Sequence, residues 1–273
     1  MKTIGLMCVK DEADLLGQVF PHIRGNVDLI YAYDDGSIDD TWNYIKHADY
    51  SIRRIDDKNR LPTDRGNYHH LLEKLKEDFP SEEVWCFITM GDRFFINKTP
   101  RQIVEEAESF RSVEGIQLDF LRHKDDPWTE ENDPFPNYSN IRNICNWVRV
   151  DERCIVAFKL NESLSYEDSN YPWPKGIGIP QFSNFHFATK DMPFLEHQGR
   201  RSPKGFMWRH TYSRPLGIKY KHVDFSSFQK VLETNSMIYS PTDVIYWNNG
   251  KALNDILDFS LKSRQERDAR RGK

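Results

Sequence analysis

The sequence is poor in cysteine, has no excess of basic residues and contains no long apolar run. Its four cysteines, Cys8, Cys86, Cys145 and Cys154, are widely spaced and form no Cys-x-x-Cys pair, which argues against a zinc site and favours a reducing compartment. A net charge of −4 argues against a nucleic-acid partner, and no apolar run is as long as a membrane span. No charged-then-apolar leader opens the chain, so we expect a cytoplasmic protein.

The first half of the sequence alternates strand and helix patterns. Apolar runs predict strands, and apolar residues at helical spacing predict helices. The expected strands are 3–9, 28–33, 51–55, 84–90 and 115–121, and the expected helices are 11–20, 41–46, 65–79 and 101–110. This alternation predicts an α/β fold with a Rossmann-like, mostly parallel central sheet and helices on both faces.

The second half is richer in loops. Residues 124–138 combine three prolines with acids and aromatics, which is typical of a loop, and 161–180 is also expected to be irregular. Between them, 147–158 is expected to form a pair of strands. The tail, 262–273, has no apolar face and is expected to be flexible. We expect this half to shape a substrate site built onto the first half.

Acidic residues follow three of the expected strands. They are Asp11 and Glu12 after the first strand, Asp34 and Asp35 after the second, and Asp92 after the fourth. Ligands of open α/β sheets bind at the carboxyl ends of the strands, and carboxylates there can accept hydrogen bonds from a ribose or a base edge. Each acid also has a plainer explanation as a helix-start acid, a turn former or part of a solvated turn with a helix cap. Together they favour a nucleotide site.

Four segments resemble the family 2 glycosyltransferases of the GT-A fold, in the branch with a Lys-Asn-Glu-like opening motif. They are 9–16 (VKDEADLL), 33–41 (YDDGSIDDT), 87–95 (FITMGDRFF) and 194–202 (FLEHQGRRS). The second follows the family's Asp-Asp-Gly-Ser-x-Asp-x-Thr pattern closely. The third stands in the place of its Asp-x-Asp motif, and the fourth is similar to its His-x-x-x-Arg-Ser segment. The resemblance covers roughly residues 1–210 and implies an inverting transfer of a sugar from a nucleotide-sugar donor, with a UDP-sugar favoured, to a glycan or glycoside acceptor.

The resemblance also implies roles for individual residues. Asp35 would accept a hydrogen bond from the donor's uracil or ribose, with Asp34 in the same turn and Glu12 close to the same nucleotide. Asp92 would hold a divalent ion, Mn²⁺ or Mg²⁺, at the donor diphosphate, with His197 as a further ligand. His197 alone could equally be a surface histidine. Two neighbouring arginines, Arg200 and Arg201, would neutralise phosphate charge.

One departure from the family pattern affects the metal. Met90 replaces the first acid of the Asp-x-Asp motif and leaves Asp92 alone. Because the second aspartate is the family's usual ligand, the metal site could survive with a changed ribose contact. Equally, metal affinity could be low or the enzyme metal-independent, since Arg93 could pair with Asp92. The same departure keeps open an alternative, a non-catalytic glycan- or nucleotide-binding protein that retained the fold.

An inverting transfer also needs a general base at the acceptor hydroxyl. The candidate acids in the second half are Asp119, Asp151 and the pair Glu167–Asp168. We choose Asp168, which falls roughly where the family keeps its Glu-Asp base motif. Loop aromatics could stack on sugars, although buried packing is their commoner use; these are Trp128, Phe135, Tyr138, Tyr171, Trp173 and Trp208.

The resemblance divides the chain into a glycosyltransferase domain at 1–210, a helical or irregular extension at 211–261 and the polar tail. Within the domain, 1–121 would bind the nucleotide-sugar and 122–210 would face the acceptor. A nucleotidyltransferase is disfavoured, because that class needs a glycine-rich basic phosphate loop after the first strand, where this chain has carboxylates. Peripheral association of the tail with an anionic surface stays open.

Overall fold

The computed structural model describes residues 1–54, 65–95, 98–107, 110–121, 129, 131, 147–166, 173–177, 181–189, 204, 207, 224, 226, 227, 229, 230, 245 and 246. Its strands are β1 (Lys2–Val9), β2 (Leu29–Asp34), β3 (Tyr50–Arg53), β4 (Val84–Met90), β5 (Arg93–Phe95), β6 (Ser112–Leu121), β7 (Trp147–Lys159), β8 (Gln181–Thr189) and β9 (Ile245–Tyr246). Its helices are α1 (Ala13–Arg24), α2 (Thr41–Ile45), α3 (Arg65–Asp78) and α4 (Pro100–Glu106).

Four parallel strands form the part of the sheet that positions the site. They lie in the order β3-β2-β1-β4, with β1 hydrogen-bonded in parallel to both β2 and β4, and β2 to β3. Beyond β4 the order continues β7-β6-β8-β5, with β7 antiparallel to β4 and β9 paired to β7. The predicted α/β class, with a largely parallel sheet and flanking helices, is confirmed.

Helices cover both faces of the parallel strands because side chains alternate along each strand. On one face, the buried residues Ile4, Leu6, Val84, Cys86 and Ile88 of β1 and β4 pack with the leucines of α3. These leucines, Leu71, Leu72 and Leu75, are fully buried. Each such leucine contributes about 1.5–3 kcal/mol relative to an exposed one. On the other face, Trp85 and Phe87 of β4 pack with Ile103 and Val104 of α4.

Helix α1 lies on the same face as α4 and runs past its expected end. A Cβ added to Gly5 of β1 would stand 3.1 Å from Cγ2 of Ile23, so α1 packs closely on β1 at this glycine. The apolar spacing predicts a helix over 11–20, yet α1 continues through Pro21 to Arg24. The buried Ile23 explains the difference, because its packing against β1 compensates for the backbone hydrogen bond that proline removes.

Other sequence expectations need correction in the second half. The segment 147–158, expected as a strand pair, forms the single strand β7, and β8 and β9 were not predicted. In the first half, the short strand β5 was not predicted either. Residues 161–166 and 173–177 are irregular as expected, apart from a bridge between Ser165 and Lys175. The expected loop at 124–138 lies outside the described residues except for 129 and 131, and the tail at 262–273 lies wholly outside them.

The chain divides into two compact units. One comprises Met1–Ile116 and Arg153–Ala188 and contains the parallel strands, α1 to α4 and the 161–166 and 173–177 segments. The other comprises Gln117–Glu152 and Thr189–Lys273, of which the structure describes only a few stretches. None of the described helices is both long and apolar enough to cross a bilayer.

Candidate functional site

The parallel strands end at the same edge of the sheet, so the residues that follow them lie side by side. Val9 pairs with Asp34, Asp34 pairs with Arg53, and Cys8 pairs with Met90. The next residues along this edge are therefore Arg54 after β3, Asp35 after β2 and the Gly91–Asp92 turn after β4. The structure thus brings the predicted acids of three adjacent strands to one edge of the sheet.

The turn after β2 is built around the side chain of Asp34. This carboxylate is fully buried, and its Oδ1 accepts hydrogen bonds from both the backbone N–H, at 3.0 Å, and the hydroxyl of Ser37. Its Oδ2 lies 3.1 Å from Nε of Arg53, as an ion pair that lacks hydrogen-bond direction. Gly36 completes the turn at φ +70°, a conformation that glycine adopts without steric cost. Asp34 thus has an internal role, and its contact with a ligand stays a prediction.

Burial raises the pKa of Asp34 above its ordinary value. The hydrogen bonds from Ser37 and the charge of Arg53 oppose this effect, and the neighbouring Asp11 carboxylate adds to it. The environment of Asp34 therefore weakens its preference for the charged form.

The loop after β1 is bonded along its length to the loop after β2. Three successive backbone N–H groups of residues 11, 12 and 13 donate to Oγ of Ser37 (2.9 Å), Oγ1 of Thr41 (2.7 Å) and Oδ2 of Asp39 (3.1 Å), respectively. In return, Oδ1 of Asp11 accepts from the backbone of Ile38 at 2.8 Å. Because these bonds occupy the backbone N–H groups of residues 11 to 13, those three donors are not available to a phosphate at this helix start.

Asp35 lies at the edge in an ion pair that the sequence analysis did not predict. Its Oδ1 accepts from Nη1 of Arg54 at 3.1 Å, and the two side chains are only 9% and 14% exposed. The Tyr33 ring stands beneath the same edge and stacks on His70 of α3, with ring centroids 5.9 Å apart. Burial raises the pKa of Tyr33, and Asp35 raises it further while Arg54 lowers it, so both charges act on its hydroxyl.

Glu12 and Asp92 come from neighbouring strands, β1 and β4, and both are buried. A Cβ added to Gly91 would stand 2.9 Å from both Cβ and Cγ of Glu12 and 3.1 Å from Cγ1 of Val9. The Glu12 side chain therefore lies directly against the backbone that carries Asp92. Glycine is required at position 91 because no side chain fits between these two loops.

This close contact makes a Gly91→Ala variant informative. We expect the added methyl to displace Glu12 and to lower the free energy of unfolding by about 1–3 kcal/mol, the usual cost of overpacking. Urea denaturation measures the loss, and Gly17→Ala is the control, because its Cβ would meet only ordinary contacts with Tyr44 at 3.6 Å or more. Equal stability of the Gly91→Ala variant and the wild type would show that Glu12 is not held against this backbone.

Four predicted site residues, Asp168, His197, Arg200 and Arg201, lie outside the described residues. Tyr166, two positions before Asp168, is buried, and its ring stacks on Tyr68 with centroids 6.0 Å apart. Tyr68 in turn donates a 3.4 Å hydrogen bond to the carbonyl of Thr89, near the carboxyl end of β4.

The part of the chain that the structure describes holds no group of three or more His, Cys, Asp or Glu side chains placed to bind a metal. Of the two predicted metal ligands, Asp92 and His197, the described residues include only Asp92. One or two carboxylates suit a Mg²⁺-like ion that keeps waters and substrate phosphates as its other ligands. The single carboxylate of Asp92 would suit that mode of binding, and its role as a metal ligand stays a prediction.

Sequence reasoning missed Arg53 and Arg54 as parts of this site. It placed Asp11 at this edge but gave it no role of its own. The two arginines fell within an expected strand, 51–55, whereas β3 ends at Arg53. The two arginines at the end of an expected strand could have indicated a basic contact for Asp35. Parallel register places the residue after β3, Arg54, beside Asp35.

Comparisons with known proteins leave the family unassigned. No family model matches the chain, and no curated protein matches it. Among solved structures, it resembles a mycobacterial protein (20% identity over 45% of this chain and 41% of that chain, TM-score 0.30). It also resembles residues 1–349 of TarS from S. aureus in complex with UDP (12% identity over 45% of this chain and 36% of that chain, TM-score 0.31). A third similar structure is 4-diphosphocytidyl-2C-methyl-D-erythritol synthase (14% identity over 58% of this chain and 72% of that chain, TM-score 0.32).

The chain spans less than half the length of the first two of these proteins. TM-scores near 0.3 are too low to assign a shared fold or function. The function must therefore be inferred from the residues of this chain.

Proposed function

We propose that the chain is a GT-A-type glycosyltransferase that moves a sugar from a nucleotide-sugar donor, with a UDP-sugar favoured, to a glycan or glycoside acceptor with inversion. The proposal rests on three buried carboxylates that follow the carboxyl ends of three adjacent parallel strands. They belong to Glu12 after β1, Asp35 after β2 and Asp92 after β4. Buried acids at this edge of an α/β sheet suit recognition of a nucleoside, whose hydroxyl and N–H groups donate hydrogen bonds. The preference for uridine rests on the family resemblance.

The occupied backbone at the start of α1 separates this proposal from a nucleotidyltransferase. A glycine-rich phosphate loop uses free backbone N–H groups to bind phosphate. Here the N–H groups of residues 11 to 13 are bonded to Ser37, Thr41 and Asp39. Asp11, Glu12 and Asp14 also make this helix start acidic, which opposes an anion. The diphosphate must therefore be neutralised by other groups.

The proposed reaction displaces the donor diphosphate from the sugar. Asp168, as general base, takes the proton of the acceptor hydroxyl while its oxygen attacks the anomeric carbon and the bond from that carbon to the diphosphate oxygen breaks. General-base catalysis of this kind is worth roughly 10²–10⁴ in rate. Arg200 and Arg201 neutralise the departing nucleoside diphosphate through their forked donors. Bound Mn²⁺ or Mg²⁺ would add positive charge at the diphosphate, with Asp92 and His197 as its protein ligands.

Asp35 has the most specific task in this proposal. Its carboxylate accepts a hydrogen bond from the ribose or the uracil, and Arg54 orients it from the neighbouring strand. Because both side chains are largely shielded from water, this ion pair is stronger than a surface pair would be.

Titration of UDP in the presence of Mn²⁺ tests the proposed donor. We expect the wild type to bind UDP and Asp35→Asn to bind it about tenfold more weakly, the effect of replacing a charged hydrogen-bond acceptor with a neutral one. Asp40→Asn is the matched control, since Asp40 is an exposed acid five positions along the same loop. Calorimetry measures both affinities. An absence of UDP binding by the wild type, or unchanged binding by Asp35→Asn, would contradict the proposal.

A panel of nucleotide sugars separates the enzyme from a non-catalytic binding protein. Met90 in the place of the first motif acid is the observation that favours the alternative. If the wild type binds UDP but neither hydrolyses nor transfers any sugar across the panel, the chain binds the nucleotide without catalysis. Release of UDP from one donor would establish the transferase.

A further inference from the structure

Asp11 has a backbone conformation that is uncommon for its residue type. Its φ is +52°, and among the described residues no other non-glycine residue has a positive φ. Aspartate and asparagine tolerate this region better than most residues, but the conformation persists only where surrounding contacts hold it in place. Asp11 is also buried, with 1% of its surface exposed. A strained, buried acid at the carboxyl edge of the sheet calls for a specific physical role.

The contacts of Asp11 join it to the turn that carries Asp35. Its backbone N–H donates to Oγ of Ser37 at 2.9 Å, and its Oδ1 accepts from the N–H of Ile38 at 2.8 Å. The Ser37 hydroxyl in turn donates to Asp34, at the end of β2. Asp11 therefore bonds to two successive residues of the turn while standing two residues beyond the end of β1.

The positive φ of Asp11 allows its backbone N–H and its side chain to bond to the same turn. The backbone bends at Asp11, so that its N–H and its side chain both meet the neighbouring loop, while the following residues enter α1. A further hydrogen bond joins the start of the turn to β1, since the N–H of Asp35 donates to the carbonyl of Val9 at 2.9 Å. The turn is thus held from both ends by the residues that flank Lys10.

We infer that Asp11 is a positioning residue that fixes the turn of residues 34–38 against the end of β1 and so sets the location of Asp35. Its relevance to a nucleotide rests on the proposed function, whereas its hold on the turn does not. Asp11 touches no reacting atom in this account. It acts through Ser37 and Ile38, and its carboxylate serves as a hydrogen-bond acceptor rather than as a ligand.

Three substitutions separate the acceptor from the backbone strain. Asp11→Asn keeps an oxygen acceptor and tolerates the positive φ, so it should behave like the wild type. Asp11→Ala loses the acceptor and keeps the strain, and Asp11→Gly loses the acceptor but relieves the strain. We expect both to raise the UDP dissociation constant about tenfold and the amide hydrogen-exchange rate in residues 35–41 by a similar factor. The glycine variant should melt at a higher temperature than the alanine variant.

Asp49→Ala is the matched control. Asp49 precedes β3 at the opposite edge of the sheet, where its Oδ2 accepts from the N–H of Ile30 at 2.7 Å and pairs with Arg24. Its removal should lower the melting temperature without changing exchange in residues 35–41 or the affinity for UDP. This control distinguishes positioning of the turn from a general loss of stability.

Exchange in residues 35–41 decides the inference by itself. Wild-type exchange rates in a folded Asp11→Ala or Asp11→Gly variant would overturn it, as would failure of Asp11→Asn to restore them. If wild-type protein binds no UDP, the proposed function fails, and the exchange measurement still tests whether Asp11 fixes the turn. If UDP binds with equal affinity to wild type and Asp11→Ala despite faster exchange, Asp11 does not set the location of Asp35 for the nucleotide.

Discussion

An Asp92→Asn variant should lose sugar transfer by about 100-fold or more, because a metal ion at a developing charge is worth several kcal/mol of transition-state stabilisation. Asp92 is buried, with 1% of its surface exposed. Because asparagine has the same size as aspartate, the fold should survive the substitution. Mn²⁺ should increase the affinity of the wild type for UDP and have little effect on the variant. Donor hydrolysis and UDP titration at several Mn²⁺ concentrations measure both quantities.

Asp28→Asn serves as the control for this variant. Asp28 lies just before β2, at the edge of the sheet opposite the site, and binds the backbone and hydroxyl of Thr3 at 2.8 and 2.9 Å. It should affect stability and leave the Mn²⁺ dependence unchanged. Full activity and an unchanged response to Mn²⁺ in Asp92→Asn would remove the metal role from Asp92 and favour a metal-independent enzyme.

Replacing Asp34 with alanine should cost about 2–4 kcal/mol of the free energy of unfolding, because two buried donors of Ser37 lose their acceptor. The ion pair with Arg53 adds little to this value, since the Arg53 side chain is 40% exposed and water can replace the carboxylate. Urea denaturation at neutral pH measures the loss. A cost below about 0.5 kcal/mol, the range of ordinary surface substitutions, would show that Asp34 does not support the turn.

Asp34→Asn is the matched variant, because it keeps one oxygen for the Ser37 donors and should cost under about 1 kcal/mol. It also tests the effect of burial on the pKa of Asp34. A raised native pKa means that the native state binds more protons than the unfolded chain from about pH 4 up to that native value. The stability that comes from protonation of Asp34, as distinct from its hydrogen bonds with Ser37, is therefore present below about pH 4 and falls as the pH rises through this window. Asp34→Asn should lack this part of the pH dependence.

The parallel core of the sheet could be predicted from the sequence because its information is local. Strand β4 has the predicted bounds, Val84–Met90, since seven consecutive residues form one apolar or weakly polar run between charged segments. Helix α4 begins at Pro100 after Thr99, where the side chain of Thr99 and that of Gln102 each accept from the other's backbone. Apolar periodicity and capping residues suffice for such elements.

The strands of the second half could not be predicted in the same way. Strand β7 extends over Trp147–Lys159 and includes the charged run Asp151-Glu152-Arg153, which interrupts the expected apolar alternation. Its pairing with β4 is antiparallel and joins residues 70 or more positions apart, such as Trp85 and Lys159. Distant pairings of this kind depend on tertiary packing rather than on local propensity.

The candidate site was predictable in its acids but not in their connections. The three strand-end positions followed from parallel register, so Glu12, Asp35 and Asp92 could be placed at one edge from the sequence. The Arg54–Asp35 pair depends on where β3 ends, and the role of Asp11 depends on a positive φ that no local pattern indicates. Strand termini and single backbone angles are set by tertiary contacts, which a sequence pattern does not contain.

A crystal structure with UDP and Mn²⁺ bound tests the central claim most directly. The proposal predicts that the uridine lies against Asp35 and Glu12 at the carboxyl ends of β1 and β2, with the diphosphate and the ion beside Asp92. It also predicts that the bonds from the backbone of residues 11 to 13 to Ser37, Thr41 and Asp39 remain intact. A nucleotide held by those backbone N–H groups at the start of α1, or bound away from this edge, would contradict it.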